Sequence, residues 1–303
     1  MRVAALLLAV MLAIPTAVSG WGFEGHRFIA DRMIDLLPAQ LRPLFEKRRA
    51  FIVERSIDPD LWRNVGWLEE PPNHFLDMDH EAFGPYPFEG LPRDYAAAVQ
   101  KFGKAFVHSQ GLLPWRVQEF YGMLQREFES LKRKPAPGYA VDNIVLYSAI
   151  LAHYVSDAHV PLHSVVNHNG ELTGQEGLHS RWETELFDRT RARLKIAPAA
   201  PKGITDPRTF IFDTLLASNR ASKNVLESDQ KAAAGREFYD DGYFDAFADG
   251  TLPVLERRMN EAITAVASII IGAWEQAGQP ALPVDGPRTP RPIRRSSGVY
   301  VRE

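Results

Sequence analysis

The chain has 303 residues, of which 45% are hydrophobic and 24% are charged, a composition typical of a globular protein with a substantial core. Its formal net charge of -3 argues against a protein that coats nucleic acid through overall charge. The chain contains no cysteine, which excludes disulfides and thiolate metal sites. Any zinc site must therefore use His, Asp, Glu or the chain terminus as ligands.

The first twenty residues are typical of a secretory signal. Arg2 precedes an apolar run at residues 3–14, and small residues follow at 17–20. The run is too short to span a bilayer comfortably, although an uncleaved anchor is the alternative interpretation. We therefore expect an exported protein, periplasmic or secreted, that is cleaved before Trp21 and has no transmembrane segment in its mature form.

From Trp21 onwards, apolar residues recur almost throughout at the spacing of amphipathic helices. Sustained strand-like alternation with hairpin turns is not found. The pattern predicts an all-α fold in one multi-helix domain, residues 21–277. The periodic stretches are 28–37, 95–131 with a break near Gly111 and Pro114, one that begins after Gly138, one from about Gln175 through Leu186, 206–227 and 253–276.

Two segments are loop-like. Residues 66–93 are rich in Pro and Gly and contain Phe83, Tyr86 and Phe88. The tail, residues 278–303, is rich in Pro and Arg, and this composition predicts a disordered, solvated end. The alternative role for the tail is steering towards phosphate groups or a membrane surface.

Two pairs of metal-ligand types stand at helical spacing. His153 and Asp157 are four residues apart, as are His179 and Glu183, so each pair shares one face of a helix. His163 lies between the pairs. In a chain with 9 histidines this combination indicates a metal site, and a set of imidazole and carboxylate ligands suits zinc. The alternative is a group of core histidines whose hydrogen bonds are satisfied by carboxylates.

Pro161 ends or kinks the first of these helices, which allows His163 to turn inward. The other histidines of the region have no partner at ligand spacing, and His159 points away from Asp157 on a continuing helix. The histidines that we leave out of the predicted site are His80, His108, His159 and His168.

The start of the mature chain offers further donors. If cleavage frees Trp21, its amine and its own carbonyl oxygen can bind a metal, with His26 completing the site. The alternative is that both residues simply begin a buried helix. Two later fragments add candidates, one with Asp58, Asp60 and Arg63 and one with His74, Phe75, Asp77 and Asp79; alone, each is ordinary turn or helix-cap material.

In this order the motifs resemble a known superfamily. The motifs are Trp-Gly…Gly-His, Pro-Asp…Arg, His-Phe-Leu-Asp, His-Tyr-Val-Ser-Asp…Pro-Leu-His and Leu-His-Ser-Arg-Trp-Glu. The superfamily contains the bacterial zinc-dependent phospholipases C and the fungal single-strand-specific nucleases. The motifs that carry the resemblance span Trp21 to about Phe187, and the helical pattern of the following residues extends it to about Gln276. It implies a helical domain built around three zinc ions.

The resemblance also implies which residues hold each ion. Asp60 is chosen over Asp58 because the nuclease pattern has an Arg three residues after the ligand, and Arg63 fits only Asp60. The implied ligand sets are Asp60, His74, His153 and Asp157 for one zinc; His163, His179 and Glu183 for a second; and the amine and carbonyl of Trp21 with His26 for a third, bridged by Asp157.

The chemistry that the resemblance implies is phosphodiester hydrolysis, in which hydroxide held between zinc ions attacks phosphorus in line. The residues expected at the reacting centre are Arg63, Asp60 and Asp157. Arg63 is suited to grip a phosphate oxygen through its planar fork of donors. Asp77 is expected to orient a ligand histidine.

The metal chemistry does not separate the two branches. Arg63 and Phe75 favour a nuclease, since Phe75 stands where nucleases of this family stack a base; a core phenylalanine is the alternative. Glu183 and the absence of disulfides favour phospholipase C. The aromatic residues of segment 66–93 could enter a lipid interface as easily as stack on bases, but we expect them to pack on the domain. We expect nucleic acid as the substrate, with phospholipid as the alternative and no obligate protein partner. A non-catalytic, periplasmic zinc-binding protein is a further alternative.

Overall fold

The structure is a computed structural model, and it describes residues 21–284. The signal-like segment 1–20 and the tail from residue 285 lie outside the described residues. Between residues 21 and 284 all regular structure is helical, with no β-strand, so the all-α prediction is confirmed. No helix in this range combines the length and the apolar character that crossing a membrane requires.

The longest helices form the core, and shorter ones carry the loops and part of the site. The α-helices are α1 (Phe23–Ile34), α2 (Arg42–Lys47), α3 (Arg49–Arg55), α4 (Asp58–Asn64), α5 (Tyr95–Phe102), α6 (Lys104–Gln110), α7 (Leu113–Ser130), α8 (Ala140–Asp157), α9 (Leu178–Ser180), α10 (Phe187–Thr190), α11 (Pro207–Ala233) and α12 (Asp241–Gln276). Short 3-10 helices span Pro71–His74, Glu81–Phe83, Pro161–Ser164 and Arg191–Arg193, and a π-helix spans Arg181–Leu186.

Helix α8 is the central element. It packs against α1, α3, α7 and α12, and every side chain from Ser148 to Asp157 is buried. A helix that is buried on all sides is expected to be apolar all round, yet the last two turns of α8 carry His153 and Asp157. The fold therefore places two ionisable groups at the centre of the domain, where water does not solvate them.

Several helix boundaries differ from the sequence prediction. The stretch 95–131 is broken at Gly103 as well as near Gly111, and Gly103 has a positive φ of 82° that suits glycine. Helix α12 begins at Asp241, and Pro253 lies inside it. The reason is that buried Tyr243, Phe244 and Phe247 continue the helical face ahead of Pro253, and this burial outweighs the one hydrogen bond that proline removes.

Segment 66–93 contains two 3-10 turns and no α-helix, as its Pro and Gly content predicted. Its aromatic residues mostly pack on the domain. Phe83 is fully buried and contacts Phe102 and Phe106, and Phe88 is also buried. Tyr86 is the more exposed member of the three.

Two glycines inside helices differ sharply in their surroundings, and this difference is testable. A Cβ on Gly272 of α12 would lie 1.9 Å from the carbonyl oxygen of Ile204, whereas a Cβ on Gly122 of α7 would meet only the flexible end of Arg126. We expect Gly272→Ala to lower the free energy of unfolding by about 1–3 kcal/mol because backbone must shift. Gly122→Ala should raise it by about 0.5–1 kcal/mol through lower backbone entropy of the unfolded chain.

Urea unfolding of the two variants beside the wild-type protein measures both effects. A Gly272→Ala protein as stable as the wild type would show that the segment around Ile204 does not press on α12.

Candidate metal centre

Five of the predicted ligands meet in one buried cluster, which we call the central cluster. It consists of His26, Asp60, His74, His153 and Asp157. Ligand atoms of His26, Asp60 and His153 lie within 4.8 Å of one another, and the same holds for His74, His153 and Asp157. His153 belongs to both groups, so the cluster offers two overlapping positions for a cation.

A second group forms beside the central cluster from His163, His179 and Glu183, and all three side chains are buried. Oε1 of Glu183 lies 2.8 Å from Nε2 of His179 and 3.4 Å from Nε2 of His163. The two Nε2 atoms are 3.1 Å apart. Three potential ligand atoms thus converge on one point, in the residue types that zinc prefers.

Asp157 lies between the central cluster and the second group. Its Oδ2 is 3.0 Å from Nδ1 of His74 and 3.2 Å from Nε2 of His153. Its Oδ1 is 3.4 Å from Nε2 of His26 and 3.8 Å from Nδ1 of His163. The two oxygens therefore face different histidines, which is the geometry that a bridging carboxylate needs.

The chain reaches this arrangement because α8 stops just after Asp157. Pro161 opens a 3-10 turn that reverses the chain and buries His163, as the sequence predicted. Nδ1 of His163 donates to the carbonyl oxygen of His74 at 2.6 Å, and the amide of Leu76 donates to the carbonyl oxygen of His163 at 2.9 Å. These two hydrogen bonds hold the two ligand-bearing segments together.

Backbone carbonyls fix the tautomers of three ligand histidines. A ring nitrogen that donates to a carbonyl leaves the other nitrogen as the lone-pair ligand. In each case Nδ1 is the donor, and Nε2 is left with the lone pair that a metal ion would use. The pairs are His153 with the carbonyl of Ser56 at 2.8 Å, His163 with that of His74 at 2.6 Å and His179 with that of His168 at 3.2 Å.

The tautomer of His26 follows from Ser156. The Ser156 hydroxyl donates to the carbonyl oxygen of His153 at 2.7 Å, so it can only accept from Nδ1 of His26 at 2.8 Å. Burial, followed by the nearby His153, lowers the pKa of His26, which keeps the ring neutral. The free lone pair on Nε2 then faces Oδ1 of Asp157 at 3.4 Å, and a cation between the two atoms would make this arrangement favourable.

Several of the converging atoms are buried without any hydrogen-bond partner among the residues that the structure describes. They include Nε2 of His26, Oδ1 of Asp157 and both carboxylate oxygens of Glu183. A buried polar atom left unsatisfied costs about 1–3 kcal/mol, and more when it is charged. Carboxylate oxygens and imidazole lone pairs with no donor are the atoms that a metal ion would satisfy, so the residues present fit a bound cation.

In the metal-free protein, burial and the neighbouring groups also shift the pKa values of the candidate ligands. Burial raises the pKa of Glu183 to about 8, against the opposing effect of His163. Burial acts to lower the pKa of His74, but the neighbouring carboxylates of Asp157 and Glu70 overcome it and raise the pKa to about 9. Burial would also raise the pKa of Asp157, yet the surrounding histidines, His153 first, hold it well below its usual range.

Trp21 is fixed beside the central cluster by its side chain. Its indole Nε1 donates to the carbonyl oxygen of Ser156 at 2.9 Å, and its ring packs on Trp182 with centroids 5.1 Å apart. The side chain is fully buried at the start of α1. The residue before it lies outside the described range, so ligation by a free Trp21 amine stays a prediction.

The structure distinguishes the two candidate aspartates of α4. Asp60 is fully buried and joins His26 and His153, whereas Asp58 pairs with Arg55 at 3.4 Å near the surface. Nη2 of Arg63 donates to Oδ1 of Asp60 at 2.9 Å. Arg63 therefore orients a cluster residue, and its Nε is buried with no hydrogen-bond partner among residues 21–284.

A cleft of about 420 Å³ reaches the site from the surface. Glu183 of the second group and Arg63, which pairs with Asp60 of the central cluster, both line it, so the cleft borders both ligand groups. Glu24, Arg27 and Asp188 also line it. The cleft is large enough for a phosphate group with part of its substituents, since ligand sites commonly hold 300–1,000 Å³.

Phe75 is half-buried, and it is not among the side chains that pack on the core within residues 21–284. Its backbone is fixed, because its carbonyl oxygen accepts from the amide of Leu113 at 3.2 Å. The interpretation of Phe75 as a core residue is therefore not favoured, and the ring is partly available for contact with a ligand.

Glu70 is a buried residue near the site that sequence analysis missed. Its Oε1 lies 3.5 Å from Nε2 of His74. The signal in the sequence was that Glu70 stands four residues before His74, but the Pro-rich sequence there did not predict a helix.

Asp77 was expected to orient a ligand histidine, but it makes no such contact in the described part of the chain. Burial, followed by the charges of Asp79 and Glu171, raises the pKa of Asp77 to about 8.

Glu183 lies in a π-helix, where sequence analysis expected an α-helix. The π-helix spans Arg181–Leu186 and keeps Nε2 of His179 within 2.8 Å of Oε1 of Glu183. Such wide turns occur frequently at functional sites. A Cβ on Gly22 would lie 2.5 Å from Oγ1 of Thr184, so glycine allows the start of α1 to approach this turn closely.

The four histidines set aside by sequence analysis do not join either ligand group. His159 is buried, but its Nδ1 donates to the carbonyl oxygen of Val155, and the residue lines a different cavity beside Arg258. His80 accepts from the amide of Ala82. The other two are His108, which is half-exposed on α6, and His168, whose ring faces Glu171.

No protein-family model matches this sequence, and a search of curated proteins found no match either. The resemblance to the phospholipase C and nuclease superfamily is therefore carried only by the five ordered motifs. What the structure adds independently is that the residues of these motifs converge in space, although they are far apart in the chain.

The raised pKa values predict that metal binding displaces protons. Near pH 7 the metal-free protein holds a proton on Glu183, with a pKa of about 8, and an extra proton on His74, with a pKa of about 9. Metal binding requires both groups without that proton, so zinc affinity should rise with pH up to about pH 9. Calorimetric zinc titrations near pH 7, in buffers of different ionisation enthalpy, should show a net release of protons.

The same titration near pH 8 is the comparison, because Glu183 has then lost about half of its protons while aqueous zinc still holds its bound water. Zinc binding with equal affinity and no proton release at both pH values would contradict the proposed ligand role of Glu183 and His74.

Proposed function

We propose that this chain is a zinc-dependent phosphodiesterase that hydrolyses single-stranded nucleic acid. The observation that carries the proposal is the convergence of eight buried ligand residues beside a cleft that contains Arg63. The ligand residues are His26, Asp60, His74, His153, Asp157, His163, His179 and Glu183.

The donor set supports zinc over magnesium or calcium. Five of the eight residues are histidines, and imidazole nitrogen suits zinc, whereas the two alkaline-earth ions prefer oxygen ligands. The two overlapping groups of the central cluster and the separate group at Glu183 support three ions. Zinc in these positions would lower the pKa of water from 15.7 to about 7 and offset the negative charge of a phosphodiester.

The chain itself would bind and orient the phosphodiester. Arg63 lines the cleft, and Asp60 holds one end of its guanidinium group. A planar fork fixed in this way suits a phosphate oxygen. The buried surroundings of Asp157 and Glu183 exclude bulk water, which strengthens electrostatic interactions within the site.

Phe75 supports nucleic acid as the substrate. The partly exposed ring follows directly after the ligand His74 and is fixed through its backbone. Stacking of a base on an aromatic ring contributes about 1–3 kcal/mol and tolerates different bases. This position, next to the metal ligands, would hold a nucleotide beside the scissile phosphate.

Phospholipase C activity is the second candidate, and an exposed apolar segment favours it. Val65 and Leu68 are each 83% exposed, and Trp67 is 46% exposed. They directly follow Arg63 and Asn64, which line the cleft. Aliphatic side chains do not stack on bases, but together with tryptophan they suit insertion at a lipid interface. The identity of Glu183, the ligand type of the phospholipase branch, points the same way.

A side-by-side activity assay tests the proposal. The mature, tag-free chain is incubated with zinc and single-stranded DNA, RNA or phosphatidylcholine vesicles, with and without a chelator. We expect chelator-sensitive cleavage of the nucleic acids and none of the lipid. Cleavage of the lipid alone would replace the nuclease proposal with phospholipase C, and zinc binding without any cleavage would support a non-catalytic zinc protein.

Two neighbouring glutamates provide matched variants for the same assay. Glu183→Gln removes a buried candidate ligand and should lower the cleavage rate about 100-fold, since even loss of a residue that supports a metal ligand typically costs 10–100-fold. Glu185→Gln changes an exposed residue of the same turn and should retain the wild-type rate. Equal rates for the two variants would exclude Glu183 from the site.

A further inference from the structure

Glu70 is a fully buried carboxylate behind the metal centre. Its Oε2 accepts from Nδ2 of Asn73 at 3.1 Å and faces Nη2 of Arg116 at 3.4 Å. Its Oε1 accepts from the hydroxyl of Tyr154, on α8 one residue after His153, and lies 3.5 Å from Nε2 of His74. Donors on every side therefore fix the orientation of this carboxylate.

His74 differs from the other ligand histidines in the nitrogen that faces the cluster. Its Nδ1 lies 3.0 Å from Oδ2 of Asp157, 3.0 Å from Nε2 of His153 and 3.8 Å from Oδ1 of Asp60. The other four present Nε2 to the ligand groups and donate Nδ1 to a backbone carbonyl or a hydroxyl. Those four are His26, His153, His163 and His179.

The outer nitrogen of His74 consequently has a single carboxylate beside it. No hydrogen bond satisfies Nε2 of His74 within the described residues, and Oε1 of Glu70 stands only a few tenths of an ångström beyond hydrogen-bond range. A cation on Nδ1 would make the Nε2–H group a stronger donor. The existing position of Glu70 is the one from which a carboxylate accepts that proton.

We propose that Glu70 is a positioning residue, which keeps the proton of His74 on Nε2 and thereby directs Nδ1 to the metal. A carboxylate in this position raises the basicity of the ligand nitrogen and fixes the plane of the ring. The inference rests on the proposed zinc centre. Because Tyr154 and Arg116 hold Glu70 in turn, α7 and α8 both contribute to the orientation of His74.

Zinc affinity tests the inference without measuring catalysis. The full mature chain is titrated with zinc against a chromophoric chelator, as wild type, Glu70→Gln and Tyr154→Phe. We expect Glu70→Gln to weaken the site that uses His74 by about 10–100-fold, as is typical for loss of such partners. Tyr154→Phe removes a donor to Glu70 but leaves the carboxylate beside His74, so it should weaken zinc binding only a few-fold.

A spectroscopic measurement on the wild-type protein removes the dependence on variants that fail to fold. Long-range proton–nitrogen NMR of the zinc-loaded protein should show His74 bound through Nδ1, with a slowly exchanging proton on Nε2. The other four ligand histidines should be bound through Nε2. In Glu70→Gln the Nε2 proton of His74 should exchange faster.

The outcomes separate this inference from the proposed function. If wild type binds zinc and cleaves its substrate while Glu70→Gln keeps wild-type affinity, the inference is wrong and the function stands. Equal losses in Glu70→Gln and Tyr154→Phe, or His74 bound through Nε2, also overturn it. A selective loss in Glu70→Gln supports it even if the protein cleaves none of the tested substrates.

Discussion

The arrangement of the site depends on buried carboxylates that the protein alone does not satisfy. Asp60, Asp157 and Glu183 are all fully buried, yet among residues 21–284 only Asp60 has an arginine side chain as a partner. Removing an ionised carboxylate from water is costly unless an opposite charge compensates it. Four of the five histidines facing these carboxylates donate through Nδ1 and present a lone pair on Nε2, and the extra proton that His74 carries near pH 7 compensates only part of the negative charge. A set of bound cations would resolve this imbalance, and the proposed function rests on that inference.

The surrounding helices serve mainly to hold these ligands in place. Helix α8 brings His153 and Asp157 to the centre, and the turn at Pro161 returns the chain so that His163 lies beside them. Carbonyl groups from other segments, such as that of Ser56, fix the rings. Because the orientation of each ligand depends on a different segment, a site of this kind requires the whole folded domain.

The sequence predicted the parts of the site that depend on local spacing. His153 with Asp157, and His179 with Glu183, are one helical turn apart, and periodicity alone identifies such pairs. Glu70 escaped prediction because it lies in a Pro-rich loop, and its main partner Tyr154 is 84 residues away along the chain. The early start of α12 was missed for a related reason, since tertiary burial decides whether a helix continues through Pro253. The resemblance to a known superfamily assigned the candidate ligands to three sets, but only the structure could show which segments contact one another.

The most direct test of the central claim is anomalous diffraction at the zinc absorption edge from crystals of the zinc-loaded protein. The account predicts anomalous peaks in the central cluster, against His153 and Asp157, and a further peak between His179 and Glu183. Density for zinc at neither position in a zinc-loaded crystal would contradict it. The buried carboxylates would then have to be protonated or hydrated, and a metal-dependent function would be excluded.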